Sequence, residues 1–95
     1  MPLALVIHDL PAGSAAVKAM FDAIYEIAPE HWPMADGALL AATGVSPAYL
    51  RDHLLRALKG GGHQAGMMLV TRLGEQAAWS GLPPAGEAWL RETIE

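Results

Sequence analysis

The stretch that most constrains the fold lies between Asp36 and Gly60 and reads DGALLAATGVSPAYLRDHLLRALKG. Asp36 can cap a helix, because its carboxylate can accept hydrogen bonds from the free amides of a first turn. Gly44 stands where such a helix would stop and the chain would turn, a position that often needs positive φ. Ser46 and Pro47 are a typical cap and first residue of a second helix. The pattern predicts two short helices joined by a tight turn.

The second of these helices has a regular apolar stripe. Leu50, Leu54 and Leu58 recur at helical spacing, with Ala57 beside them. The chain continues as GGGHQAGMMLVTRLGEQAAWSG, in which a glycine-rich turn leads to an apolar strand, Met67–Val70. This continuation predicts a hairpin and then a closing helix.

Together these segments resemble a winged helix-turn-helix of the type found in small bacterial, phage or plasmid transcriptional regulators. The residues that carry the resemblance of the motif are Leu39, Leu40, Gly44, Val45, Ser46 and Leu50. The resemblance implies a mainly α fold with a small β-hairpin, in the α+β class. It places motif helices near Asp36–Ala42 and Pro47–Lys59 and a hairpin around Gly62–Thr71.

The segment before the motif predicts one strand and one longer helix. Leu3–Ile7 is a short apolar run that suits a buried strand, paired either with the wing hairpin or with the same strand of a second subunit. Ser14 can cap a helix over Ala15–Ala28, which Pro29 ends. The apolar stripe of that helix is Val17, Met20, Phe21, Ile24, Tyr25 and Ala28.

The remaining segments complete the predicted domain. Glu30–Ala35 predicts a loop and Leu73–Ser80 a helix that closes the wing. Gly81–Gly86 contains two prolines and predicts a rigid connector. Glu87–Glu95 predicts a short helix that must dock on the body or on a partner, because it would be marginal alone. Since this helix and the N-terminal strand are apolar and little domain is left to cover them, we expect a homodimer.

Length and composition indicate a small folded protein. Its 95 residues suffice for a single domain, 1–95, and over half of them are apolar, so the chain should fold around one modest core. It has no cysteine, which excludes a disulfide framework and a thiolate metal site. The first apolar run is too short for a membrane span or a signal peptide, so we expect a cytoplasmic protein without membrane contact.

The charge is unevenly distributed. The whole chain has a formal charge of −4, which argues against nonspecific binding of nucleic acid by the entire surface. Four of the six basic residues, however, lie between Ser46 and Leu73, where Asp52 is the one acid. This segment therefore carries +3 and the rest of the chain −7. These charges either contact phosphates or simply keep the outer face of an amphipathic helix solvated.

The outer face of the second motif helix and the wing hold the candidate DNA contacts. With the leucine stripe inward, Arg56 could pair with guanine in the major groove, and Tyr49 or Lys59 could hold phosphates. Asp52 would repel phosphates, although a carboxylate can accept from cytosine N4. Leu55 also points outward and fits a protein contact at least as well. The candidate DNA-binding residues are Ser46, Ala48, Tyr49, Arg51, Asp52, Arg56, Lys59, His63, Gln64 and Arg72.

Catalytic chemistry is not indicated. The histidines at 8, 31, 53 and 63 have no metal-ligand spacing, and the chain contains no GxSxG elbow. The GGGHQAG run lacks the lysine of a phosphate-binding loop and follows a helix instead of leading into one. We expect no catalytic residues, no metal, no cofactor and no enzymatic activity.

Two functions from different classes remain open. The first is a dimeric transcriptional regulator that binds double-stranded DNA with the second motif helix and the glycine-rich wing. The second is a winged-helix module that binds protein and not DNA, as the acidity, Leu55 and the tryptophans would allow. Fold-level analogy favours the first function, and net charge favours the second.

Overall fold

A computed structural model that describes residues 2–74 and 77–94 contains four β-strands and three α-helices in those ranges. The elements are β1 (Leu3–His8), α1 (Ala15–Ile27), β2 (His31–Ala35), β3 (Ala38–Ala42), α2 (Pro47–Gly60), β4 (Met68–Leu73) and α3 (Pro84–Ile94). The strands form one antiparallel sheet in the order β2-β3-β1-β4. The β-α-β-β-α-β order is that of the split βαβ, or ferredoxin-like, arrangement, here followed by a third helix. The predicted α+β class is confirmed, but a four-stranded sheet stands where the mainly α prediction had only a small hairpin.

The two faces of the sheet pack against different helices. In β1, Ala4 and Val6 pack in one apolar cluster with residues of α1 and α2. Leu3, on the opposite face of the same strand, packs in a second cluster with Leu90 of α3. This alternation follows from the period of two in a strand. A central strand with helices on both sides is expected to be a nearly continuous apolar run, as β1 is from Leu3 to Ile7.

Both long helices are capped as the sequence predicts. The Ser14 hydroxyl accepts from the amide of Val17 at 3.1 Å, and the Ser46 hydroxyl accepts from the amide of Tyr49 at 3.1 Å. The leucine stripe of α2 is fully buried in the cluster shared with α1 and the sheet. His53 ties the two helices together, with Nε2 at 3.1 Å from the Ala23 carbonyl oxygen. The predicted helices Ala15–Ala28 and Pro47–Lys59 are therefore confirmed, within a residue at their ends.

The predicted first motif helix, near Asp36–Ala42, is wrong. Asp36 and Gly37 form the turn between β2 and β3, and Gly37 adopts a φ of 82°. Ala38–Ala42 is a strand, in which Leu39 faces α1 and α2 while Leu40 faces α3. Because both sides of this strand are buried, its sequence does not alternate between apolar and polar residues. Pairing with the neighbouring strands overrides the helix propensity of its alanines and leucines. Gly44 lies in the β3–α2 loop without positive φ, so this stretch forms no helix-turn-helix.

Other predicted boundaries also change. The segment Glu30–Ala35, predicted as a loop, contains β2, and the hairpin predicted around Gly62–Thr71 is instead a loop from α2 followed by β4. The helix predicted over Leu73–Ser80 is wrong where the structure describes it: Leu73 ends β4 and residues 77–80 are irregular. Residues 75 and 76 of that predicted helix, and 95 of the C-terminal one, lie outside the described residues.

The two terminal apolar segments pack on their own body. β1 is a central strand between β3 and β4, so the wing strand was the correct one of its two predicted partners. Leu90 of α3 is buried against the sheet, and Trp89 packs against Trp32 with ring centroids 6.3 Å apart. The reason given for a homodimer, that these segments lack cover, is therefore wrong. None of the described helices is long and apolar enough to cross a lipid bilayer.

Candidate functional site

The predicted DNA-binding residues lie at three places in the fold, of which α2 and β4 meet where Arg72 bonds to the residue before Ser46. Most of them are on the exposed side of α2, because the buried leucine stripe turns that side away from the sheet. The candidates exposed on or next to this helix are Ser46, Ala48, Tyr49, Arg51, Asp52, Arg56 and Lys59. His63 and Gln64 lie in the α2–β4 loop, and Arg72 lies on β4. No helix-turn-helix brings the three places together.

Ion pairing reduces the positive charge of the exposed α2 surface. Arg51 Nη2 lies 2.9 Å from a carboxylate oxygen of Asp52, so these two charges offset each other. Arg56 and Lys59 are exposed and have no ion pair with any described residue. The exposed α2 surface thus contains two uncompensated cations, Arg56 and Lys59, fewer than DNA-binding surfaces usually use for phosphate contacts.

Arg72 has a structural role. Its side chain lies on the same face of the sheet as α2, and it donates to the backbone carbonyls of Thr43 at 2.7 Å and Val45 at 2.6 Å. These charge-assisted hydrogen bonds fasten the β3–α2 loop to β4. The guanidinium therefore stabilises the β3–α2 loop, and two of its five N–H donors are used in doing so.

The loop from residue 61 to 67 does not form a wing hairpin. It follows α2 directly, and the amide of His63 donates to the Leu58 carbonyl at 2.8 Å, which closes the end of the helix. The Asp9 carboxylate lies against Gly66, so a negative charge stands beside the predicted wing. The segment joins α2 to β4. A carboxylate stands beside it, where a DNA-contacting loop would need a positively charged side chain.

β4 is an edge strand with an open side. It pairs with β1 without interruption from His8 opposite Met68 to Leu3 opposite Leu73, and its other side has no strand partner in the described part of the chain. The opposite edge, β2, is protected by Pro33 and by an irregular register between Trp32 and Ala35. Proline and bulges are common devices that prevent edge pairing, and β4 has neither.

An apolar row lies next to this open edge. Leu69 of β4, Ile7 of β1 and Ala38 of β3 lie side by side on the face that α3 covers elsewhere. The cover of α3 extends over Leu3 and Leu40 but leaves Leu69 52% exposed. Met67, just before the strand, is also 52% exposed. The sequence predicted an apolar strand over Met67–Val70 but not this exposed surface, although the alternation of Leu69, Thr71 and Leu73 indicates a separate face.

In residues 2–74 and 77–94, no group of three or more His, Asp or Glu side chains is placed to hold a metal ion. Comparison with protein-family models, with curated proteins and with solved structures finds no match to this chain.

Proposed function

We propose that this protein is a protein-interaction module whose partner is a second copy of the same chain, joined along β4. The observation that supports the proposal is the combination of an unprotected edge strand with the exposed Leu69 beside it. An edge of unpaired N–H and C=O groups favours the addition of another strand. The homodimer follows here from the sheet, and no longer from the chain ends.

The strand is well suited to antiparallel pairing with itself. If a two-fold axis places Thr71 opposite Thr71 of the second copy, Leu69 lies opposite Leu73 of that copy, on the same face. Cross-strand apolar pairs of this kind contribute roughly 0.2–1 kcal/mol each, and the symmetry forms each pair twice. The two sheets then continue into one another, and both exposed leucines are covered.

Charge favours a second copy over a different partner. β4 carries a single charge, Arg72, whose guanidinium is held by carbonyls of its own chain. The edge therefore offers no charge pattern with which a distinct partner could be selected. Nor does it place like charges opposite one another when it pairs with itself, because Arg72 would then lie opposite Val70 of the other copy.

Sedimentation at micromolar concentration tests this proposal. The wild-type chain is expected to sediment as a dimer, and Leu69→Lys to weaken the dimer by at least roughly tenfold, because two ammonium groups enter the apolar pairs. Tyr25→Lys is the matched control, since Tyr25 is 63% exposed on α1 and far from the edge. That variant should remain dimeric. A wild-type chain that is monomeric throughout the micromolar range, or equal effects of the two substitutions, would contradict the proposal.

DNA binding by α2 is a second candidate, favoured by one observation. Arg56 and Lys59 are exposed, without an ion pair in the described residues, and nearly one turn apart. Two phosphate contacts per chain, doubled in a dimer, would give weak and strongly salt-dependent binding to duplex DNA. This binding would not use a helix-turn-helix.

Fluorescence anisotropy with a random-sequence duplex at low and moderate salt tests this second candidate. Lys59→Ala is expected to weaken binding to all sequences alike and to lower the salt slope by about one per site removed. Arg56→Ala should cost on the order of 1–3 kcal/mol on a preferred sequence if the guanidinium reads a base. Lys18→Ala is the control, because Lys18 is paired with Asp22 on α1. No binding at low salt would rule out this candidate and leave the homotypic proposal intact.

A further inference from the structure

A cavity of about 220 Å³ lies on the face of the sheet that packs against α1 and α2, opposite the face on which Leu69 is exposed. Its walls come from the end of β1, the N-terminal part of α1 and the turn between β2 and β3. Val17, Phe21 and Pro33 supply apolar surface, and His8 and Asp36 supply polar groups. Small-molecule sites commonly have this composition, a mainly apolar lining with a few placed polar groups.

His8 is the buried polar group of this cavity. Its side chain belongs to a residue that is 6% exposed, and Nδ1 accepts from the amide of Leu10 at 3.1 Å. An imidazole nitrogen that accepts carries no proton, so the ring proton is on Nε2. Burial lowers the pKa of His8 below its usual range, against the opposing effect of the Asp9 carboxylate, so the neutral ring is favoured near pH 7.

The Nε2–H of His8 has no hydrogen-bond partner among the described residues. Because Nδ1 is directed to the backbone of Leu10 and no fully buried side-chain nitrogen of the described residues lacks a partner, Nε2 is open to the cavity that the ring lines. A ligand acceptor that takes the place of water at this donor gives a modest net gain of free energy. The inner end of the cavity thus offers a neutral donor to an oxygen or nitrogen acceptor.

The outer end of the cavity is acidic. Asp36 is exposed in the β2–β3 turn, and its carboxylate has no ion pair with a described residue. This carboxylate disfavours an anionic ligand and favours a cation at the rim.

We propose that this cavity binds a small arylalkylamine that carries an oxygen acceptor. The aromatic ring lies against Phe21 and Val17, the oxygen accepts from His8 Nε2–H, and the ammonium group pairs with the Asp36 carboxylate. The volume, below the 300–1,000 Å³ typical of sites for drug-sized molecules, restricts the ligand to one ring with a short chain. The proposal is independent of the β4 interface, because His8 and Leu69 lie on opposite faces of the sheet.

NMR titration of the ¹⁵N-labelled protein with tyramine tests the proposal. Saturable shifts are expected at the amides of Leu10, Gly13 and Gly37, which surround the cavity, and not at Gly60 at the end of α2. Phenethylamine lacks the oxygen and 4-ethylphenol lacks the ammonium group. Each should bind roughly two- to tenfold more weakly than tyramine, the effect of losing one hydrogen bond or exposed ion pair.

The variant Asp36→Asn tests whether the ammonium group of the ligand pairs with the Asp36 carboxylate. Asn-Gly suits a turn with positive φ at glycine as well as Asp-Gly does, so the variant should fold. It should bind tyramine roughly two- to tenfold more weakly and 4-ethylphenol with unchanged affinity. Asp22→Asn, on the exposed side of α1 and outside the cavity, should change neither affinity. Tyramine that causes no saturable shifts at the three cavity amides, or that binds Asp36→Asn as tightly as wild type, would overturn the proposal.

Discussion

Leu54→Ala is expected to lower the free energy of unfolding by about 2–5 kcal/mol, the largest effect of any substitution considered for this fold. Leu54 has no exposed surface and lies in the middle of the α2 stripe. It belongs to the cluster that joins α2 to Ile24 of α1 and to Val6 and Leu39 of the sheet. Truncation to alanine leaves a cavity that the surrounding elements cannot fill by moving independently. The free energy of unfolding therefore falls both because apolar area is lost and because the cavity stays empty.

Urea unfolding followed by circular dichroism measures this effect, at one fixed protein concentration because dimerisation would add to the stability. Leu55→Ala is the matched control, since Leu55 is the next residue on the same helix and is only half-buried. Its loss should be clearly smaller than that for Leu54, because less apolar area is lost and a partly open site leaves no closed cavity. Equal losses at the two positions would show that the α2 stripe does not face the core as described.

The two long helices could be predicted because their signals are local. A serine cap, a proline at the first position of α2 and an apolar stripe with the helical period all lie within one segment of the sequence. Caps depend on hydrogen bonds to the next few amides, which no distant part of the chain needs to provide. This is why Ser14 and Ser46 mark the true starts of α1 and α2.

The sheet could be predicted only in part, because strand pairing is not local. Ala38–Ala42 consists of helix formers, and only its position between β1 and β2, with helices on both sides, makes it a strand. The turn at Asp36 and Gly37 was the available signal, since Asp-Gly between apolar runs is typical of a hairpin. Once that turn is recognised, the adjacent His31–Ala35 becomes the other strand, and the winged-helix prediction loses its first motif helix.

The sequence predicted which candidate DNA-binding side chains are exposed, but not how their charges are paired. Helical spacing correctly placed Arg56 and Lys59 on the outside of α2. It did not reveal that Arg51 pairs with Asp52, or that Arg72 bonds to the β3–α2 loop, because both depend on side-chain geometry. The open edge of β4 is a property of the sheet order, which no single segment encodes.

On one face of the sheet, the close packing of α3 decides which residues are covered and which stay exposed. At Gly86, a buried residue in the first part of α3, the helix lies directly on the indole of Trp32 in β2. A Cβ at this position would overlap the Cζ2, Cη2 and Cε2 atoms of that ring. Glycine is therefore required here for close packing and not for its backbone freedom, since its φ is not positive.

Gly86→Ala is accordingly expected to destabilise the protein, although alanine is the better helix former. The helix propensity of alanine would add up to about 1 kcal/mol of stability, whereas overpacking against a rigid ring costs about 1–3 kcal/mol and occasionally more. The steric term should prevail, because the indole is itself packed against Trp89 and cannot move freely. Thermal unfolding of wild type and variant measures the net effect.

Gly60→Ala and a double variant make this test specific. Gly60 ends α2 without positive φ, and a Cβ added there would have no neighbour within 4 Å, so alanine should be neutral or slightly stabilising. Trp32→Phe removes part of the overlapping ring, so Gly86→Ala should cost less in that background than in the wild type, a coupling of about 0.5–3 kcal/mol between the two positions. If Gly86→Ala is as stable as wild type, or if its cost is the same with phenylalanine at position 32, then α3 does not pack on β2 at this contact. The extent of the exposed apolar row around Leu69 would then also differ, because α3 covers the rest of that face.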